Sequence, residues 1–293
     1  MPRPFRFGVN MLTPSPAAEW RARCRLAEEL GYDVILVPDH LGMVAPFPAL
    51  VAAAAVTERP RLGTLVLNAG LWNPVLLARE VATTDALTDG RLELGLGAGY
   101  VRAEHERAGL PFGAPQERAD HLRRTVEELE RLLGSGEAGF RPAQDRVPLL
   151  IGGDGERTLP LGVAHADTIG FTGARMVGGQ LRPLPAKEVA ERVARYEELA
   201  ADRPVPAERN LLIQLVAVTD DPAAALAPLL ERQPQLTLEE ALELPVVLVG
   251  SLDEVVAKVL ALRERYGFSY LTVLDPYLEV FAPVLERLRT ADA

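Results

Sequence analysis

The 293-residue sequence predicts an α/β fold, a (β/α)8 TIM barrel with inserted loops spanning residues 1–293 as one domain. Three observations predict it. Short apolar runs alternate with helix-period segments eight times, which specifies a parallel sheet, and eight repeats close such a sheet into a barrel. Residues 62–100 form a βαβ unit whose second strand ends in glycines at period two, Gly95, Gly97 and Gly99. The chain is 48% hydrophobic, enough for one large core at a length where α/β barrels are commonly single domains. The rival arrangement is an open doubly wound sheet.

Each element follows from local chemistry. Phe5 to Asn10 is the first strand, and Ser15-Pro16 supplies a cap and a proline for a helix that Gly31 closes. Asp33 to Val37 is the second strand, followed by an alanine-rich helix from about Pro48 to Glu58. Leu62 to Leu67 is apolar on both faces, as a strand buried from both sides must be. Pro74 opens the next helix, where its missing N–H is no loss. Asp89-Gly90 turns the chain into the fourth strand, Arg91 to Leu96. A long polar loop follows Tyr100, then a helix from Pro115 to Gly134 with Leu122, Val126, Leu129 and Leu133 on one face. Val147 to Ile151 is the fifth strand, and Gly152-Gly153-Asp154-Gly155 opens a short helix to His165. Ala166 to Thr172 is the sixth strand, and residues 173–185 read as an insertion or mobile loop. Helix Ala186 to Ala201 precedes a seventh strand from Leu211 to Thr219. A proline-broken excursion from Asp220 to Pro245 leads to Ser251-Leu252-Asp253-Glu254, which has capping-box spacing. Tyr270 to Leu274 is the eighth strand, with a final helix after Pro276.

Composition narrows the function. A net charge of −10 argues against nucleic acid or an anionic membrane as partner. There is one cysteine, Cys24, at apolar helical spacing, so a disulfide framework is excluded and a buried thiol is expected. No charged-then-apolar leader and no apolar run of about 18 residues is present, and the chain reads as cytoplasmic. The aliphatic helices permit a homodimer.

In a barrel the site lies at the carboxyl ends of the strands. Asp39-His40, Asn68, Gly97 to Tyr100, Gly152 to Gly155 and Thr172 therefore converge on one mouth. The glycine tips leave a strand face without side chains, against which a flat ring fits. Glycines ahead of a helix offer amide N–H groups to an anion such as phosphate, although an ordinary tight turn explains them equally. On residues alone, Asp39-His40 reads as a surface or structural pair.

The stretch Leu62 to Tyr100, with Asn73-Pro74 before its helix, Asp89-Gly90-Arg91 at its turn and Gly95-Leu96-Gly97-Ala98-Gly99 at its close, resembles the bacterial luciferase-like flavin and deazaflavin oxidoreductase superfamily. Val37-Pro38-Asp39-His40 and Leu150-Ile151-Gly152-Gly153-Asp154-Gly155 are similar to the same superfamily at two further strand ends. The resemblance implies a barrel that binds coenzyme F420, or alternatively FMN, with the phosphate toward Gly152, Gly153, Asp154 and Gly155. It also implies a non-proline cis peptide at Leu65–Val66 behind the ring, with Asn68 and the Gly97, Gly99 and Tyr100 tip at the cofactor edge. His40 then stands at the proton-transfer position, a role imidazole suits near neutral pH, and Asp39 orients it or binds the cofactor. The implied partners are a small organic substrate and a reductase or dehydrogenase that supplies reduced cofactor.

Two departures matter. Tyr100 stands where the sugar-phosphate dehydrogenases of that superfamily carry Glu, and Asp154 puts a carboxylate in the implied phosphate loop, with Arg157 near enough in sequence to offset it. The two lysines, Lys187 and Lys258, fall in helices rather than at strand ends. The competing readings are an FMN-dependent monooxygenase, a barrel that binds cofactor without turnover, and a metal-dependent hydrolase using Asp39, His40 and His165. The last is disfavoured because the other histidines lie in a loop or helices, and no metal site is expected.

Overall fold

The computed structural model describes residues 3–136, 139–177 and 180–292. Its first half runs β1 (Arg6–Asn10), α1 (Ala17–Glu29), β2 (Val34–Val37), α2 (Pro46–Ala54), β3 (Arg61–Thr64), a two-residue β4 (Leu67–Asn68), α3 (Pro74–Leu87) and β5 (Leu92–Gly97). Next come α4 (Arg102–Ala108), α5 (Pro115–Ser135), β6 (Leu149–Gly152), α6 (Leu159–His165), β7 (Thr168–Phe171), β8 (Ala174–Val177), β9 (Gln180–Pro183), α7 (Ala186–Leu199) and β10 (Glu208–Leu212). The chain ends with β11 (Leu215–Val218), α8 (Pro222–Arg232), α9 (Leu238–Glu243), β12 (Val247–Gly250), α10 (Leu252–Tyr266), β13 (Phe268–Leu274) and α11 (Leu278–Asp292). Parallel strands follow one another in the order β3, β2, β1, β13, β10, β7, β6, β5, and β5 pairs back onto β3 through Leu62 and Leu92. The eight-stranded barrel is thereby closed, as the alternation predicts.

All four residues of β2 are buried: Ile35 and Val37 face the helices, while Val34 and Leu36 pack with Leu150 and Tyr270 on the barrel axis. Below this layer Arg6 bridges Glu93 and Glu208 at 2.7 and 2.6 Å and lies over the Tyr270 ring. The buried carboxylates are thus paired, as groups removed from water must be. Helix ends are held locally, by Asn73 accepting from the Val75 and Leu76 N–H groups and by the Ser251 and Glu254 capping box. Cys24 is buried, and burial pushes its thiol up to about 12, so it behaves as core.

Several expectations are corrected. Ser15 does not cap α1, because Pro16 itself occupies the cap position and the Ser15 hydroxyl is buried without a partner. The polar loop after Tyr100 contains α4, and insertion 173–185 forms the antiparallel hairpin β8 and β9. The seventh strand is two strands. Its chain leaves the barrel at Ile213 and Gln214, whose N–H groups donate to Thr272 and Val246, and β11 then pairs with β12 in a separate parallel ribbon. The third strand also breaks, between β3 and β4, at a cis peptide joining Leu65 to Val66, the bond expected from the resemblance.

That break explains the glycines. A Cβ on Gly97 would stand 2.7 Å from Val66 Cγ2, one on Gly152 would stand 2.9 Å from Val66 Cγ1, and one on Gly95 would strike the Thr64 carbonyl oxygen. The side-chain-free face expected to receive a ring is filled from within by Val66. Gly95→Ala should therefore cost about 3 kcal/mol or more, because the obstructing atom is backbone and cannot rotate away. Gly155→Ala, whose Cβ meets nothing within 4 Å, should change stability by less than about 0.5 kcal/mol. Urea unfolding of both variants checks the contrast.

Candidate active site at the barrel mouth

The mouth is levelled by strand register. Asn68 is paired with Gly97, Gly97 with Gly152, and Gly152 with Gly170, so four neighbouring strands end at one height. The two glycine sets predicted to meet are adjacent. Asp39 and His40 follow β2, Leu65, Val66 and Asn68 follow β3, Gly99 and Tyr100 follow β5, and Gly153, Asp154 and Gly155 follow β6.

His40 is oriented by a residue that the sequence reading missed. Its Nδ1 lies 2.9 Å from Glu104 Oε1, and the same oxygen accepts the Leu41 N–H at 3.2 Å. A carboxylate only accepts, so Nδ1 carries the hydrogen in a neutral ring and Nε2 keeps its lone pair. Tyr100 OH stands 3.5 Å from that Nε2, its ring edge-on to the imidazole. Glu104 comes from α4, hidden in the supposed loop. Its spacing from Tyr100, four residues, was the signal available.

Asp39 does not orient His40 by a hydrogen bond. Its Oδ2 accepts instead from Trp72 Nε1 at 2.8 Å and from the Asn68 N–H at 3.2 Å. Burial pushes this carboxyl up, while those two donors pull it back. Asn68 is in turn held at both ends, its Oδ1 accepting from the Gly70 N–H and its Nδ2 donating to His105 Nε2 at 3.0 Å. His105 closes the chain by donating from Nδ1 to the Pro111 carbonyl. Gly99, with φ +72°, sits where any Cβ would collide with the Asn68 carboxamide. Its missing side chain makes room for Asn68 rather than for a ligand.

The loop after β6 also departs from expectation. The Gly153 N–H donates to the Gly170 carbonyl at 2.9 Å, so it belongs to the strand ladder. Helix α6 begins at Leu159, and a turn whose Thr158 and Leu159 N–H groups donate to the Gly155 carbonyl leads into it, so Gly155 rather than Gly152 or Gly153 adjoins its amino terminus. Asp154 is buried, and its Oδ1 accepts from Arg192 of α7 at 2.5 Å. Burial pushes the Asp154 carboxyl up against the opposing pull of Arg192. Arg157, expected to offset this charge, reaches Gln116 instead. The loop's carboxylate is therefore matched from below, and Gly155 alone presents open backbone.

Among the described residues, the buried acceptors without a donor include Asn10 Oδ1 at the end of β1, whose Nδ2 faces the Leu65 carbonyl at 3.5 Å, and Asp154 Oδ2. Such groups mark places where a ligand or water completes the bonding. Among the described residues, no three His, Cys, Asp or Glu side chains are grouped to hold a metal ion, and no helix is long and apolar enough to cross a membrane.

The chain is similar to known proteins. The profile of the luciferase-like monooxygenase family matches residues 3–237. The F420-dependent glucose-6-phosphate dehydrogenase of Beutenbergia cavernae is 31% identical over 322 aligned positions, covering 91% of this chain and 92% of that protein. The uncharacterised protein Rv0953c of Mycobacterium tuberculosis is 28% identical over 189 residues, covering 52% of this chain and 66% of its own, slightly under two thirds of that relative. In fold, the oxygenating constituent of 3,6-diketocamphane monooxygenase from a Pseudomonas putida plasmid, solved with FMN, superposes with a TM-score of 0.70 at 17% identity over 98% of this chain and 96% of that one. With the family profile covering most of its length, on a closed barrel with Val66 folded inside it, the chain belongs to the luciferase-like monooxygenase family.

Proposed function

We propose that this oxidoreductase binds coenzyme F420 and exchanges a hydride with a small organic substrate, His40 taking or giving the accompanying proton. Its relatives include enzymes of both flavin and deazaflavin type, and the observation that favours the deazaflavin reading is the Glu104–His40 pair at the mouth. An imidazole fixed by a carboxylate at one nitrogen is a proton carrier at the other.

The residues present fit such a group. Leu65 and Val66 give an apolar back to a flat ring, and the unpartnered Asn10 Oδ1 beside them is an acceptor that a ring imide N–H satisfies. Leu65, Val66 and Asn68 would hold the ring, with Tyr100 at its edge, while Gly97 and Gly99 make room for Val66 and Asn68. Gly152, Gly153, Asp154 and Gly155 would border its phosphate, with Arg192 neutralising Asp154. When bound, the deazaflavin supplies the hydride-exchanging carbon. His40 Nε2 then holds the proton, Glu104 stabilises the imidazolium that results, and Asp39 fixes Trp72 and Asn68 around them. A separate dehydrogenase or reductase restores the cofactor's redox state.

Titration followed by absorbance and fluorescence should show saturable binding of the deazaflavin and weaker binding of FMN; saturation by reduced FMN alone would move the protein to the monooxygenase reading. His40→Gln should retain ring binding and lose about 100-fold or more in kcat. Glu104→Ala should release the Nδ1–H tautomer, which the nitrogen-15 shifts of His40 report directly. Asp39→Ala should cost about 1–3 kcal/mol in urea unfolding, because it strands the Trp72 and Asn68 donors.

A further inference from the structure

Asp154 stands in the loop after β6 with one carboxylate oxygen unused. The residue is 6% exposed, its Oδ1 accepts from Arg192 of α7, and its Oδ2 is buried with no donor among the described residues. Bonded to a guanidinium, the carboxylate stays ionised at neutral pH, although burial pushes its pKa up. An ionised oxygen cut off from water is weakly screened, so its field extends into the loop beside it.

The rest of the loop adds no cation in excess. Glu156 and Arg157 follow and cancel each other, and Arg157 turns its Nε to Gln116 of α5. Arg192 cancels Asp154 and no more. Among the backbone donors, the Gly153 N–H goes to the Gly170 carbonyl, whereas those of Gly155, Glu156 and Arg157 have no partner among the described residues. A Cβ on Gly155 would meet nothing within 4 Å, so the backbone there is open to approach. The loop can therefore donate to an oxygen, but it has no surplus positive charge to match a highly charged group.

That combination separates two kinds of phosphate. A phosphomonoester carries a charge of about −1.5 to −2 at pH 7 because its second ionisation falls near neutrality. A phosphodiester has a single ionisable oxygen and carries one charge. FMN ends in a monoester, whereas coenzyme F420 carries its phosphate as a diester.

Resting on the deazaflavin reading above, we propose that Asp154 is a specificity-determining residue that makes the loop after β6 a charge filter, taking a phosphodiester and disfavouring a phosphomonoester. The loop then discriminates between the two cofactors by the charge of the tail, independently of any contact with the ring. Arg192 makes a single charge tolerable, because without it the buried carboxylate would face any phosphate unopposed.

The test uses three probes that share one ring: hydroxydeazariboflavin with a free terminal hydroxyl, a methyl phosphate or a phosphate on its ribityl chain. Each is titrated into the purified protein at mildly alkaline pH and low ionic strength, and affinity is read from ring fluorescence. The methyl phosphate should bind about tenfold tighter than the phosphate, the scale of one weakly screened charge acting on another. Asp154→Asn removes the charge and keeps an acceptor for Arg192; it should bring the phosphate to within about twofold of the methyl phosphate and leave the hydroxyl compound unchanged. Asp154→Ser should close the gap in the same way, so a folding defect peculiar to one variant does not decide the result. A purely structural ion pair would instead move all three affinities together. Equal or tighter binding of the phosphate by the unaltered protein, a hydroxyl compound that matches the methyl phosphate, or a gap that persists in Asp154→Asn overturns the charge filter while leaving the deazaflavin reading standing. Failure of all three probes to bind overturns that reading and the filter with it.

Discussion

Everything at the mouth depends on one steric fact, that Val66 lies inside the barrel. Backbone closed into eight strands has a fixed interior, and a β-branched side chain fits at that level only where neighbouring strands carry none. Gly95, Gly97 and Gly152 provide that space. The inward step of the chain between β3 and β4 sets the height and direction of Asn68, and through it the placement of Gly99, His105 and Gly70. A strand running straight through Leu65 and Val66 would leave these groups out of register.

A second constraint is bonding. Around Asn68 the polar atoms are claimed in series, and each claim fixes another: Asp39 holds Trp72 and the Asn68 backbone, Asn68 holds His105, and His105 holds the Pro111 carbonyl. Buried networks satisfied in this way have a single arrangement, since breaking one member leaves its neighbour unpaired. Against that rigid background His40 is fixed at one nitrogen and open at the other. The bond from Nδ1 to Glu104 thereby decides which imidazole nitrogen keeps its lone pair free.

The sequence revealed the architecture more readily than the contacts. Periodicity and turn residues located seven of the barrel strands as short, largely buried runs, and the resemblance of the Leu62 to Tyr100 motif located the break at Leu65 and Val66; the remaining barrel strand, β10, begins Glu208-Arg209-Asn210, and the run expected from Leu211 to Thr219 meets it only at its last two residues. The same motif led to a wrong reason for its glycines, because a strand without side chains looks alike whether a ligand or another residue fills the space. Helix α4, Arg-Ala-Glu-His-Glu-Arg-Ala, carries no apolar stripe and so read as loop, which hid Glu104. Asp154 could not be matched with Arg192 from sequence, since 38 residues and a hairpin separate them. Long-range ion pairs have no local signature. The bend at Ile213 was similarly invisible, because Leu211 to Val218 reads as one apolar run interrupted only by Gln214, while the polar start of β10, Glu208-Arg209-Asn210, gives no strand signal.

That bend divides the labour of the molecule. Every group near His40 described above comes from the first 111 residues, whereas the hairpin of β8 and β9 and the β11 and β12 ribbon come from the later part of the chain. The two strands of the ribbon pair with each other rather than with a barrel strand, so changes along them leave the hydrogen bonds around His40 in place. A lineage could thus rework this later part of the chain while inheriting the Glu104–His40 pair and its bonded neighbours intact.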